Sequence, residues 1–216
     1  GVIKPFINEY EDKSVINALK INSIFPRKLS EKFVNSKIIQ ITTDCVYSGL
    51  IGDYNENSDH DPTDVYGKSK SLGEVSNKNV MNIRCSIIGK EKYNHKSLIS
   101  WFLNNKDGDS LNGFTNHIWN GVTTDVFAKL CLGIIKKKYF KSGSFHLIPN
   151  DKVTKYDLLK CLSEKFDKKL SIKKFKTSKK CDRSLSTNNE KINKEMWKLA
   201  GYQKPPTVKE MITDIE

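Results

Sequence analysis

Lys37-Ile38-Ile39-Gln40-Ile41-Thr42-Thr43-Asp44-Cys45-Val46-Tyr47-Ser48-Gly49 is the stretch on which the fold turns. Its first six residues are a short apolar run of the kind that forms a buried strand in a parallel sheet, covered on both faces. Upstream, from Asp12 to Phe33, Val15, Ile16, Leu19, Ile21, Ile24, Phe25, Leu29 and Phe33 recur at roughly helical spacing, with Pro26 as the expected point of interruption. A helix leading into a buried strand is an α/β unit. Downstream, Asp44 to Asp64 is rich in Gly, Asp, Asn and Ser and contains Pro62, so it reads as a long loop. A long loop leaving the C-terminal end of a strand stands where open α/β sheets bind their ligands.

Pro62-Thr63-Asp64 then offers a helix cap before Val65-Tyr66-Gly67-Lys68-Ser69-Lys70-Ser71-Leu72-Gly73-Glu74. A strand is expected over Val80 to Ile88 and another over Ser144 to Leu147. Helices are expected at Leu98 to Leu103, Thr124 to Ile135, Lys155 to Phe166, Asn188 to Leu199 and Val208 to Ile215. With no internal repeat or low-complexity linker, residues 1–216 read as one α/β body whose smaller C-terminal lobe is built from about 92–122 and 149–216.

The formal net charge is +12, which raises the question of nucleic acid or anionic membranes. The densest basic runs, Lys136 to Lys138 and Lys168 to Lys180, fall at a helix end and in a strand plus loop, without aromatics at stacking intervals. They read as solvated surface, and the residual attraction suits an anionic small molecule; neither a nucleic acid nor a membrane partner is expected. Cys45, Cys85, Cys131, Cys161 and Cys181 lie far apart, as reduced intracellular thiols do, and His60, His95, His117 and His146 follow no ligand spacing. No metal is assigned, and a cytoplasmic location is expected, no stretch approaching the roughly 20 apolar residues of a membrane span.

Three residues then converge: Thr43 at the end of the buried strand, Tyr66 at the start of the next helix, and Lys70 one turn later. Positions i and i+4 share a helix face, so Tyr66 and Lys70 can project together toward Thr43. A phenol is a poor acid at neutral pH; a nearby ammonium favours its anion and makes the pair a usable proton donor. Alone, Tyr-x-x-x-Lys is a weak motif. The paired strings Ile41-Thr42-Thr43-Asp44-Cys45-Val46-Tyr47-Ser48-Gly49 and Tyr66-Gly67-Lys68-Ser69-Lys70-Ser71-Leu72-Gly73-Glu74, with Tyr54-Asn55-Glu56 between them, closely resemble the signature of the dTDP-4-dehydrorhamnose reductase family of extended short-chain dehydrogenases.

The resemblance implies a partial Rossmann-like, doubly wound parallel sheet carrying a substrate-binding lobe. It implies NAD(P)H-dependent reduction of a nucleotide-linked 4-keto-deoxysugar, in deoxysugar precursor biosynthesis, with NADPH or NADH as cofactor and a nucleotide-activated sugar as partner. Thr43, Tyr66 and Lys70 would be catalytic: Tyr66 gives the proton, Thr43 polarises the carbonyl oxygen, and Lys70 tunes Tyr66 and holds the ribose. Thr42, Tyr66, Lys70, Cys85 and Ser86 would bind the cofactor, Cys85 standing where the family usually has Thr. Arg84, Trp119, Asn120 and Arg183 would serve the sugar nucleotide, with packing and structural ion pairs as their other reading. In related dehydratases an Asp-Glu pair follows the Thr; here Cys45 holds the second place, which disfavours elimination and leaves Asp44 to cap its loop. A non-catalytic module similar to the regulatory subunit of methionine adenosyltransferase, or an epimerase, are the alternatives. Gly1 is not an initiator Met and no Gly-x-x-Gly-x-x-Gly string occurs, so an N-terminally truncated chain that binds dinucleotide poorly and is inactive alone is expected, with room for a homodimer in the full-length protein.

Overall fold

In chain order, the computed structural model runs α1 Asp12–Leu19, a wide π turn at Lys20–Ile24, α2 Phe25–Lys32, β1 Ile38–Thr42, α3 Val65–Leu72, β2 Val80–Arg84 and β3 Ile87–Ile88. It continues with α4 Leu98–Leu103, β4 Ser110–Phe114, β5 His117–Trp119, β6 Val122–Thr123, α5 Thr124–Lys136, β7 Gly143–His146, β8 Val153–Thr154 and α6 Lys155–Lys165. The last elements are β9 Ser171–Phe175, β10 Cys181–Asp182, α7 Glu190–Leu199 and α8 Val208–Thr213. The structure describes residues 1–91, 93 and 96–215; His95 and the expected lobe boundary at residue 92 lie outside them.

The apolar run expected to be a buried strand is instead the half-buried edge of a parallel sheet, β1-β2-β7, with Ile41 exposed and the register Thr42↔Arg84↔His146. The helical periodicity upstream resolves into α1 and α2, and Pro26 sits in the first turn of α2 with the π turn directly before it. A proline has no N–H to give and is tolerated in a first turn, so the widened turn ahead of it takes up the misfit. This layer holds α3: the Asn22 amide donates to Ser69 Oγ at 3.0 Å, and the Arg27 guanidinium donates to the Leu72 carbonyl at 2.6 Å.

The strand expected over Val80 to Ile88 divides in two. At Ser86 the chain leaves the sheet, its carbonyl accepting from Val122 N at 2.9 Å, and Ile87–Ile88 pair with β6 instead. β4 pairs with β9, and β5 lies between β10 and β8. Sheet and lobe share one apolar core, in which Met81 and Ile83 of β2 join Leu158 and Leu162 of α6, Trp197 of α7 and Met211 of α8. Each such side chain contributes about 1.5–3 kcal/mol on burial. A second, smaller core of Val46, Tyr47, Tyr54 and Leu185 underpins the loop after β1, with Tyr47 stacked on Tyr54 at 4.4 Å between ring centroids. Among the described residues no helix is long and apolar enough to cross a membrane.

Candidate functional site

Thr43 is the first residue beyond β1. Its hydroxyl accepts from Cys45 N at 3.2 Å, which starts a 3₁₀ turn over Asp44–Val46, and donates to Asp44 Oδ1 at 3.1 Å. Asp64 caps α3, its carboxylate accepting from Gly67 N at 2.7 Å while Lys4 pairs with it at 2.8 Å. Gly67 has a steric reason: a Cβ there would collide with the Cys45 carbonyl oxygen. Without that side chain the first turn of α3 lies directly on the loop after β1, and Tyr66 is carried to Thr43 and Asp44.

One cavity of about 450 Å³ gathers Thr42, Thr43, Tyr66, Lys70, Cys85 and Ser86, together with the first residues of the chain and the Ile87–Glu91 segment. Thr42 borders the cavity, but it is level with Arg84 in the sheet, so its buried side chain turns with Arg84 toward Glu74 and away from the cavity. Lys70 donates to the Ile41 carbonyl at 2.9 Å. An ammonium has three N–H donors, so Lys70 keeps two for other acceptors. Burial lowers its affinity for the proton, partly offset by the Glu74 carboxylate.

Tyr66 departs from the expectation that the ammonium beside it would lower its pKa. Burial pushes the phenol up, the Cys45, Asp44 and Cys85 side chains add to that, and only the hydrogen bond with Thr43 pulls it back. At neutral pH Tyr66 therefore holds its proton, as a donor must. Cys45 is pushed up to about 12, first by burial and then by Asp44, and burial lifts Cys85 further. Both are neutral thiols, so Cys85 gives the cavity an apolar wall where a hydroxyl was the family's usual choice.

The four residues expected on the sugar-nucleotide side are not gathered together. Arg84 corrects its expectation. It is buried on the opposite face of the sheet from the cavity, donating to both carboxylate oxygens of Glu74 at 2.8 and 2.7 Å, to the Tyr47 hydroxyl at 3.0 Å and to His146 Nε2 at 3.2 Å. Strand alternation explains this: Arg84 is level with Thr42 and His146, while Cys85, the next residue, turns the other way. Trp119 is buried, its indole N–H donating to Ser86 Oγ at 2.8 Å. The Asn120 amide is likewise engaged, donating to the Leu185 carbonyl at 2.7 Å and accepting from Leu185 N at 3.0 Å. Arg183 is half-buried, holds the Tyr47 carbonyl at 2.9 Å, and its charge acts on Asp44.

Two features escaped the sequence. Asp44 is more than a loop cap: it is buried and lines the cavity, its acidity lowered by burial and only partly restored by Arg183, Thr43 and Lys155. Lys155 is the first residue of α6, with its ammonium 5.5 Å from the centroid of the Trp119 ring. The available signal was Thr154-Lys155-Tyr156-Asp157, whose capping box fixes Lys155 at the helix start, where a cation opposes the helix dipole.

The family model of the RmlD substrate binding domain matches residues 8–215. No curated protein matches the chain. Among solved structures, a dTDP-4-dehydrorhamnose reductase from Bacillus anthracis in complex with NADP superposes with a TM-score of 0.75 at 18% identity, over 94% of this chain and 74% of that one. An orthologous reductase from Clostridium acetobutylicum gives 0.74 at 21% identity, over 95% of this chain and 75% of that one. A dTDP-glucose 4,6-dehydratase from Streptomyces venezuelae with NAD bound gives 0.65 at 20% identity, over 96% and 69%. At these identities the likeness establishes the fold, α/β with the parallel sheet of the Rossmann-like dehydrogenases.

Proposed function

Because the chain belongs to the family of the RmlD substrate binding domain, we propose that it carries the catalytic residues of an NAD(P)H-dependent reductase of a nucleotide-linked 4-keto-deoxysugar, similar to dTDP-4-dehydrorhamnose reductase. The observation that carries this reading is the meeting of Thr43, Tyr66 and Lys70 on one cavity of about 450 Å³. Tyr66, protonated at neutral pH, gives its proton to the C4 oxygen as that oxygen gains negative charge, and Thr43 hydrogen-bonds the same oxygen. Lys70 has two free N–H donors for ribose hydroxyls, and its charge stabilises the phenolate left after proton transfer. The residues present therefore suit a nicotinamide cofactor, NADPH or NADH, which when bound supplies the hydride to C4. Cys45 in place of a second carboxylate supports reduction over elimination.

Of the residues expected on the substrate side, Trp119, Asn120 and Arg183 stay in the proposal, as the wall that faces the loop after β1. The lobe that presents them is the one over about 92–122 and 149–216. The five cysteines, all free, fit a cytoplasmic enzyme.

Incubation of the full-length gene product with dTDP-4-dehydrorhamnose and C4-deuterated NADPH or NADH tests the reading. A product carrying deuterium at the sugar C4, with one cofactor oxidised per sugar, is expected. Inversion of a nucleotide sugar whose hydride returns to the sugar, with no net oxidation of the cofactor, would make the protein an epimerase, and binding without turnover would make it a regulatory module.

A further inference from the structure

Trp119 and Ser86 meet where the chain leaves the parallel sheet. Ser86 lines the cavity that holds Thr43, Tyr66 and Lys70, whereas Trp119 is buried and does not line it. The indole N–H donates to Ser86 Oγ at 2.8 Å. The segment around the indole is held on both sides of this bond. Asn120 is engaged in both directions by the Leu185 backbone, and Val122 N donates to the Ser86 carbonyl at 2.9 Å. Between them, a Cβ on Gly121 would collide with the Ser86 carbonyl oxygen and with the indole ring, so glycine is what lets the two segments approach.

The chemistry of the pair runs one way. An indole nitrogen donates and never accepts, so the Ser86 hydroxyl proton cannot point at Trp119. With the N–H seated on one side of the oxygen, the proton must lie on another. The bond to Trp119 is the only hydrogen bond that Ser86 Oγ makes among the described residues, so its proton has no acceptor there. Pairing of Thr42 with Arg84 sets Cys85 beside Thr43, and Ser86 is the next residue, at the same end of the sheet as the reacting groups. Tyr66 and Lys70 are committed to the sugar oxygen and the ribose, and a thiol such as Cys85 is a weak donor. The carboxamide is the one hydrogen-bonding group on a nicotinamide ring, and Ser86 is the donor left to meet its carbonyl oxygen.

We propose that Trp119 is a positioning residue: its indole N–H orients the Ser86 hydroxyl to donate to the carboxamide oxygen of the nicotinamide, which fixes the rotation of that ring relative to Tyr66 and Thr43. This rests on the reading of the chain as a nicotinamide-dependent reductase. It gives the indole N–H a task toward the cofactor, separate from any contact that the ring makes on the sugar side.

Titration calorimetry of the full-length gene product with NADPH and NADH, and with their thionicotinamide analogues, tests the assignment, because a thiocarbonyl sulfur is a poor acceptor. Absence of binding to either natural dinucleotide by the wild type rejects the reductase reading itself. Given binding, the wild type is expected to hold the natural dinucleotide roughly three- to tenfold more tightly than its thio analogue, the worth of a neutral hydrogen bond. Ser86→Ala is expected to bind the two alike. Trp119→Phe keeps an aromatic ring and removes the donor; its preference should fall about threefold, for a hydroxyl freed among three staggered wells, with the KM of the sugar nucleotide unchanged. Because the indole acts through Ser86, Trp119→Phe added to Ser86→Ala should weaken the cofactor no further. Equal binding of natural and thio forms by the wild type overturns the carboxamide contact, and so does discrimination that survives Ser86→Ala. A full preference in Trp119→Phe, or an additive loss in the double variant, overturns the positioning role. A merely structural role for Trp119 would weaken the natural and thio forms equally, leaving their ratio at the wild-type value.

Discussion

Two polar clusters flank the end of the parallel sheet, and they differ in how many of their donors are already engaged. On one face, Arg84, Glu74, Tyr47 and His146 satisfy one another: Arg84 donates to the other three, and His146 Nδ1 meets the Ser186 carbonyl at 2.7 Å. On the other, Tyr66, Thr43 and Lys70 border a cavity, with two Lys70 donors free. Both clusters contain a phenol and a cation, so residue type does not separate them. Saturation does: a closed network fixes the chain, whereas an open one is available to a substrate.

The sharpest way to break this contrast is to remove each phenolic oxygen. In the full-length gene product, Tyr66→Phe is expected to cut turnover by about 10²–10⁴, the effect of a positioned general acid, with little change in the fold. Tyr47→Phe, whose hydroxyl accepts from Arg84 and donates to the Asn55 carbonyl at 3.0 Å, is expected to cost about 1 kcal/mol of stability instead. Steady-state kinetics and urea unfolding on both variants read the two effects. Near-normal turnover in Tyr66→Phe would remove the catalytic assignment.

Arg84→Met strikes the closed cluster from the other partner. It leaves the Glu74 carboxylate buried, an omission that costs about 3–5 kcal/mol. Adding Glu74→Met should recover most of the loss, because an apolar pair of similar volume needs no hydrogen bonds. A loss below about 1 kcal/mol for Arg84→Met in urea unfolding would show that the network is not closed.

How much of this was legible in sequence depends on the separation of the partners. Tyr66 and Lys70 lie one helical turn apart, so periodicity alone places them on a common face, and the β1 run announces itself by composition. Arg84 looked like a substrate ligand because its partners are remote: Glu74 lies ten positions away and His146 sixty-two away, across two strands. Strand alternation could have set Arg84 and Cys85 on opposite faces, but which face holds the cavity is decided by the packing of α3. Lys155 was invisible for a similar reason. Only the pairings of β5 with β8 and β10 bring it to Trp119 and Cys181, and strands of two or three residues leave little periodic trace.

Acid should reveal the closed cluster next. His146 is fully buried and its pKa is pushed down from 6.5 to about 4, mainly by burial, with Glu56 partly opposing. The unfolded chain takes up a proton near 6.5 that the fold refuses until about 4, so stability falls as pH drops through that window, by about 3 kcal/mol. Glu74 extends the decline below its unfolded value of about 4.3, since Arg84 overcomes burial and holds the carboxyl below its usual range. Urea midpoints at pH 7 and pH 4.5 are expected to differ markedly in the wild type and much less in His146→Asn. An equal pH dependence in both would mean that His146 is not held neutral.

The open cluster has its smaller counterpart in Lys70→Met, expected to raise the cofactor Kd about tenfold through loss of charge-assisted hydrogen bonds to ribose. Stability should be little affected, because only the bond to the Ile41 carbonyl is lost from the fold. Calorimetric titration of the full-length gene product with NADPH and NADH checks it, and an unchanged Kd would detach Lys70 from the cofactor.

The last comparison sets the closed cluster against an ion pair of equal length. Lys152 and Asp53 approach to 2.7 Å, the same distance as Arg84 and Glu74, but their side chains are 45% and 63% exposed against 6% and 9%. Water already satisfies both partners, and holding two mobile side chains together costs entropy. Lys152→Ala should therefore change stability by less than about 1 kcal/mol. Salt should reduce even that, because exposed charges are screened over about 10 Å at 0.1 M ionic strength. Urea unfolding of Lys152→Ala beside Arg84→Met, at low and high salt, measures the ratio directly. A Lys152→Ala loss as large as that of Arg84→Met would mean that distance, and not desolvation, decides what an ion pair contributes in this fold, and the separation drawn between closed and open clusters would then lack a physical basis.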